Sequence, residues 1–267
     1  VASLIIEELI SPNMKKIGFT ILFVGCFCLA FAQQDTTKKE TRVLIVPYQT
    51  MMHFSDADED IARINGKNIG QVRNQLRTDL EANVYHQFLA SFDAISLMRS
   101  NTLNGEEDLN KIYAATKYQL YSKQAQDDYH AKKSSAVTQS LKNISSSLKR
   151  KSKEQTYWVS DSSVMLGAIG SKELFQYLHK KYNQKYILFI TQFELNTSNK
   201  NSLEWLKQDY TREYTLHYNL FDYTGALIRA EVITFKGGNE NKLADINSKY
   251  LIVLAQKLRD IVQIANQ

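Results

Sequence analysis

Two short, almost uninterrupted apolar runs constrain this chain more than any other feature. Val43-Leu44-Ile45-Val46-Pro47-Tyr48 and Tyr186-Ile187-Leu188-Phe189-Ile190 are rich in β-branched and aromatic residues, and neither alternates between apolar and polar positions. A strand with one wet face alternates. A strand without polar positions is buried on both faces, so each run predicts a central strand of a sheet covered by helices on either side. The expected fold class is α/β.

The surrounding pattern supplies the helices. From Asn68 to Phe92, residues Val72, Leu76, Leu80, Val84, Phe88 and Leu89 recur at helical spacing, with Arg73, Arg77 and Glu81 between them. Asp93 to Arg99 reads as a second short strand, which completes a βαβ unit with parallel strands. Asn104 to Lys153 then reads as a helical insertion. Glu106, Glu107 and Asp108 suit the positive end of a helix dipole, and Leu109, Ile112, Tyr113 and Leu120 give a partial stripe through about His130. Val137, Leu141, Ile144 and Leu148 form a narrower seam further on.

A helix starting at Ser171 restores the rhythm and leads into the strand at Lys185 to Leu195. Tyr210 to Asp222 alternates like a half-buried strand, and Asp222-Tyr223-Thr224-Gly225 makes a turn. Ala226 to Lys236 returns as the hairpin partner, and a closing helix runs from Leu243 to Ile264. The predicted order is β-α-β-(helical insertion)-α-β-β-β-α, in a mixed sheet of three-layer or two-layer arrangement, with one domain over residues 33–267.

The start of the chain has a different character. Val1 to Asn13 reads as an upstream extension, and Met14-Lys15-Lys16 opens a charged region followed by the apolar run Ile17 to Ala32. With the small-residue site Ala30-Phe31-Ala32, residues 14–32 match a secretory signal peptide, so a mature chain is expected to begin near Gln33 in the periplasm. Leu22-Phe23-Val24-Gly25-Cys26 loosely matches a lipobox, which makes Cys26 the alternative, lipidated start and leaves open an outer-membrane association. Cys26 and Cys28 are the only cysteines. Cleavage after Ala32 therefore excludes disulfides, thiolate catalysis and sulfur metal sites from the mature chain.

The net charge of +5 is uneven along the sequence. Lys132, Lys133, Lys142, Lys149, Arg150, Lys151 and Lys153 fall in a stretch without a single acid. Such a run is a solvated linker, or a basic helix for an anionic envelope surface in which Lys142, Lys149, Arg150, Lys151 and Lys153 make the contacts. Export argues against nucleic acid as the partner. The tyrosines Tyr210, Tyr214, Tyr218 and Tyr223 fit either a protein-binding face or strand preference.

One cluster resembles metal chemistry. Asp56-Ala57-Asp58-Glu59-Asp60 matches the first half of a calcium loop, with Asp56, Asp58 and Asp60 as the ligands a metal would use. Ile61 and Lys67 occupy the positions that need glycine and a carboxylate. The favoured reading is that Ser55 caps a short helix with acids in its first turn, and that no metal or other cofactor is held. Asn65-Gly66-Lys67-Asn68-Ile69-Gly70 is a turn before the long helix rather than a phosphate loop. His53, His86, His130, His179 and His217 are scattered, and no Gly-x-Ser-x-Gly elbow occurs.

The order of elements, with Val-Leu-Ile-Val-Pro-Tyr as the opening strand, resembles the envelope family of the curli-export lipoprotein CsgG, the amino-terminal domain of TolB, and the lipoprotein activators of penicillin-binding proteins. The resemblance covers roughly Val43 to Ser100 and Ser171 to Gln267, and Asn104 to Lys153 departs from it. It implies a non-enzymatic adaptor or assembly factor that binds another envelope protein. A periplasmic hydrolase using Asp56, Asp58 or Glu59 is the alternative from a different class.

Overall fold

The computed structural model of the chain describes residues 41–99, 104–121, 158–159, 163–198, 203–207 and 209–265. All of them belong to one compact unit, Lys39–Gln267. The predicted signal and the basic residues Lys142, Lys149, Arg150, Lys151 and Lys153 lie outside the described residues.

Strand β1 (Arg42–Val46) leaves through Pro47 into a single 3₁₀ turn (Thr50–Met52), and β2 (His53–Ser55) follows directly. Helix α1 (Asp58–Asn65) ends at Gly66, whose φ of 62° is the left-handed conformation that closes a helix. The long helix α2 (Ile69–Leu89) opens with a capping box: Asn68 accepts from the Gln71 backbone, and the Gln71 side chain accepts from Asn68. Strand β3 (Asp93–Ser96) and helix α3 (Gly105–Ala115) complete the amino-terminal half.

Beyond α3 lie β4 (Thr116–Tyr121), β5 (Trp158–Val159), β6 (Val164–Ile169) and α4 (Lys172–Tyr182). The long strand β7 (Tyr186–Thr197) and a single helical turn, α5 (Leu203–Leu206), precede the hairpin of β8 (Arg212–Asp222) and β9 (Leu227–Gly237). The closing helix comprises α6 (Leu243–Ile246), a π-helical turn (Asn247–Leu251) and α7 (Ile252–Ala265).

The main sheet runs β3-β1-β7-β8-β9-β5, and β2 also pairs with β7. β1 is parallel to both β3 and β7, whereas β8 is antiparallel to its two neighbours, β7 and β9. The sheet is mixed, and the class is α/β as the sequence predicts. Its two faces explain the two apolar runs. Val43, Ile45, Leu188 and Ile190 pack with Leu76, Leu80 and Val84 of α2 and with Leu254 and Leu258 of α7. Leu44, Val46, Ile187 and Phe189 face the other way, against Leu109 and Ile112 of α3 and Phe175 and Leu178 of α4. Each residue of a run therefore meets a helix, and no position is left for a polar side chain.

The expected helical insertion is corrected at two points. Helix α3 ends at Ala115, and Thr116 turns the chain to φ −90° and ψ 132°. Residues Thr116–Tyr121 then form a strand, antiparallel to Val164–Ile169, where the sequence had suggested helix to about His130. Thr116, Tyr118 and Tyr121 favour extended backbone, and the partner strand supplies what local helical spacing could not. α3 itself belongs to the core of the domain rather than to an addition on it. The rest of the insertion falls outside the described residues.

Candidate functional site

In open α/β sheets ligands sit beyond the carboxyl ends of the parallel strands. That edge carries a cleft of about 1050 Å³. Gln49, Thr50 and Met51 reach it from the exit of β1, Leu97 and Met98 from the exit of β3, and Arg77 from α2. Its far wall is α3 and its cap, through Asn104, Glu106, Glu107, Asn110 and Tyr113. Met51 forms an apolar lip with 69% of its surface exposed.

The cleft is held open by bonds that converge on the exit of β1. Arg77 Nε donates to the Tyr48 carbonyl at 2.7 Å, and Arg77 Nη2 donates to Tyr113 Oη at 2.9 Å. Tyr113 in turn donates to the Pro47 carbonyl at 2.7 Å. Burial pushes the Tyr113 hydroxyl up to about 12, so at neutral pH it is a donor and not an anion.

The buried titratable groups around this edge are engaged with one another. His53 Nδ1 lies 3.2 Å from Tyr48 Oη and its Nε2 lies 3.1 Å from Asp58 Oδ1. Arg73 Nε donates to the other Asp58 oxygen at 2.6 Å. Burial would raise the Asp58 pKa, but the bonds from His53 and Arg73 outweigh it and hold the carboxyl below its ordinary value. Tyr48 is almost wholly buried, and burial drives its hydroxyl far above the usual phenol range. The Tyr-His-Asp order superficially matches a nucleophile relay, yet Tyr48 is only 1% exposed and does not line the cleft, so its hydroxyl faces no substrate there.

Asp108, fully buried, joins α3 to α4. It accepts from Lys181 Nζ at 2.6 Å, Tyr182 Oη at 2.7 Å and Tyr177 Oη at 3.0 Å. Burial opposes its charge, and the three donors more than compensate, so its pKa is lowered. On the face of the sheet beside these helices, His217 Nε2 lies 3.0 Å from Glu194 Oε1, while its Nδ1 accepts from the Met165 amide at 3.1 Å. Both ring nitrogens are committed. Glu81, also buried, receives Arg99 Nε at 2.8 Å.

The acidic cluster does not converge. Asp56 accepts from the backbone and hydroxyl of Thr197, Asp58 faces His53 and Arg73, and Asp60 pairs with Arg63 on the surface. None of residues 56–60 lines the cleft. No group of three or more histidine, cysteine or acidic side chains able to hold a metal occurs among the described residues. Ser55 does not cap α1 as expected. Its Oγ accepts from the Ala57 amide, and Ala57 occupies the cap position without a side-chain bond.

The tyrosines do not form a common face. Tyr214 and Tyr218 are buried against the closing helix, Tyr210 stacks under the buried Arg212 guanidinium, and Tyr223 lies in the hairpin turn. Sequence reasoning missed Arg77, Tyr113, Asp108 and His217. Their roles depend on pairings 23 to 74 residues apart in the chain, which local spacing does not carry.

No protein-family model, no curated protein and no solved structure matches the chain. No helix among the described residues is long and apolar enough to cross a membrane.

Proposed function

We propose that the protein is a non-enzymatic binding module of the bacterial cell envelope, an adaptor or assembly factor on the periplasmic side that engages a protein partner through the cleft at the ends of β1 and β3. One observation carries the reading. Among the described residues, the three buried carboxylates (Asp58, Glu81, Asp108) and the two buried histidines (His53, His217) each bond to side chains or backbone of this chain, with Glu81 Oε1 the one polar atom among them left without a partner. The open cleft instead presents amides, hydroxyls, methionines and surface glutamates. A hydrolytic site needs a base and an acid or nucleophile facing one cavity, and the buried acids and histidines here face partners of their own chain instead. Amide and thioether side chains around an exposed apolar lip suit recognition of another protein. The signal-like residues 14–32 and the resemblance to envelope adaptors favour the compartment.

The test is affinity capture from envelope extracts of the source cells with chain 33–267, its Met51→Glu variant and a form lacking residues 131–153. A partner retained by the first and third forms and lost with Met51→Glu supports the cleft. Loss with the deletion alone moves recognition to the basic segment and its anionic envelope surface. Retention of the same proteins by all three forms, or of none, overturns the proposal.

A further inference from the structure

We infer that the cleft at the ends of β1 and β3 receives the carboxyl terminus of its protein partner, with Arg77 pairing the terminal carboxylate and Met51 and Met98 flanking the last side chain. The inference rests on the proposed role of the cleft and names the chemistry that enters it.

Arg77 is set apart by its lack of a counter-ion. Arg42, Arg63, Arg73, Arg99, Arg229 and Arg259 each lie within ion-pair distance of a carboxylate. Among the described residues, Arg77 and Arg212 alone of the arginines do not. Arg212 is fully buried, whereas Arg77 is half-buried and lines the cleft. The acids nearest to it are spent elsewhere. One turn before it on α2, Arg73 takes Asp58, and one turn after it Glu81 takes Arg99. On the opposite wall Glu107 pairs with Lys111 at 2.7 Å. A guanidinium does not lose its proton in a protein, so a full positive charge stands at the wall of the cleft.

The two bonds of Arg77 also aim it. Nε and Nη2 donate to the Tyr48 carbonyl and the Tyr113 hydroxyl, both neutral acceptors, and these fix the plane of the group. Nη1 has no partner among the described residues. Together with the remaining Nη2 hydrogen it makes the end-on fork that matches the two oxygens of one carboxylate.

The remaining walls suit a chain end. The amides of Gln49 and Asn110 line the cleft and offer a donor and an acceptor to the last peptide groups. Met51 and Met98 are unbranched thioethers that adapt to an apolar side chain. The exposed Glu106 and Glu107 disfavour an acidic stretch, so a single carboxylate is admitted. A chain end then leaves by one path, over Met51, whereas an internal acid must lead its backbone out in two directions.

Selection from random peptide pools on the full chain and on its Met51→Glu variant tests the inference. One pool carries free carboxyl ends, a second is closed as carboxamides, and a third, also closed, carries one internal Asp. Peptides from the first pool should be retained by the full chain and lost with Met51→Glu, and their carboxamide forms should bind about tenfold or more weakly. In Arg77→Met the acid and carboxamide forms should bind alike, a ratio that a general loosening of the cleft does not set. Equal binding of the two forms to the full chain, with both lost in Met51→Glu, overturns the inference and leaves the cleft a protein site. So does equal retention of the internal-Asp pool, or an unchanged preference for the acid in Arg77→Met. No peptide whose retention depends on Met51 overturns the inference and the cleft reading together.

Discussion

His53 Nε2 lies 3.1 Å from Asp58 Oδ1, and both side chains are buried. Because His53 Nδ1 faces the hydroxyl of Tyr48, whose proton has no other acceptor among the described residues, the network assigns the imidazole proton to Nε2. Asp58 is thereby bonded to β2 through His53 and to α2 through Arg73, and it fastens the start of α1 between them. The acid that most resembles a calcium ligand in the sequence is a structural tie.

Replacing Asp58 by Ala leaves His53 and Arg73 facing an empty position. Breaking a buried pair on one side should destabilise the fold by about 3 kcal/mol, read as a lowered midpoint in urea with an unchanged m-value. An unchanged midpoint would show that the tie is dispensable.

The same carboxylates set the acid limit of the fold. Asp58, Asp108 and Glu194 are all held below their ordinary values in the folded chain. Each is ionised in the unfolded chain above about pH 4, so its stabilisation is complete above that pH and is lost as pH falls through the lower folded value. Stability measured by urea titration at successive pH values should therefore be flat from neutrality to about pH 5 and fall steeply below pH 4. Asp58→Asn should flatten part of that fall.

In the alkaline direction the tyrosines act. Burial raises the hydroxyls of Tyr48, Tyr118, Tyr182, Tyr214 and Tyr218 above the phenol range and brings Tyr113 to about 12. These groups favour the folded state below about pH 10, and that contribution is lost as pH rises toward their folded values. Phenolate absorbance should rise in two stages, an early one from exposed tyrosines and a late one coincident with loss of the far-ultraviolet circular dichroism. A single early stage in a folded protein would contradict the burial described.

Two glycines separate conformation from contact. Gly66 has φ 62° and nothing within 4 Å of an added Cβ, whereas Gly225 has φ 87° and would bring a Cβ within 2.6 Å of the Phe175 ring. Gly66→Ala should cost about 1 kcal/mol from backbone strain alone. Gly225→Ala adds displacement of a buried ring and should cost about 2 kcal/mol or more. Equal losses in thermal unfolding would show that Phe175 moves aside freely.

The parts of this fold that were legible in the sequence are those whose environment repeats locally. Val43–Val46 and Tyr186–Ile190 meet helices on both faces, so their apolar character is continuous, and α2 buries one stripe along its whole length. β4 was not legible. Its Lys117, Gln119 and Leu120 give no clean alternation, and its partner β6 begins 43 residues after it ends. In the sequence, the acids that open α3 suit the positive end of its dipole. That reading holds for surface Glu106 and Glu107, but Asp108 points to three donors on α4, a choice made by tertiary packing alone. The cleft has no local signature because its walls come from four separated segments.

The central claim is that this cleft binds a protein of the envelope, and photocrosslinking from its lip tests it most directly. With a photoreactive amino acid at Met51, and a control at Gln256 on the exposed side of α7, the source cells are irradiated and the adducts identified. The account predicts one discrete adduct from position 51 that is absent from position 256 and is lost when Asn110 is replaced by a bulky tryptophan. No adduct at 51, or the same adducts from both positions, would contradict it.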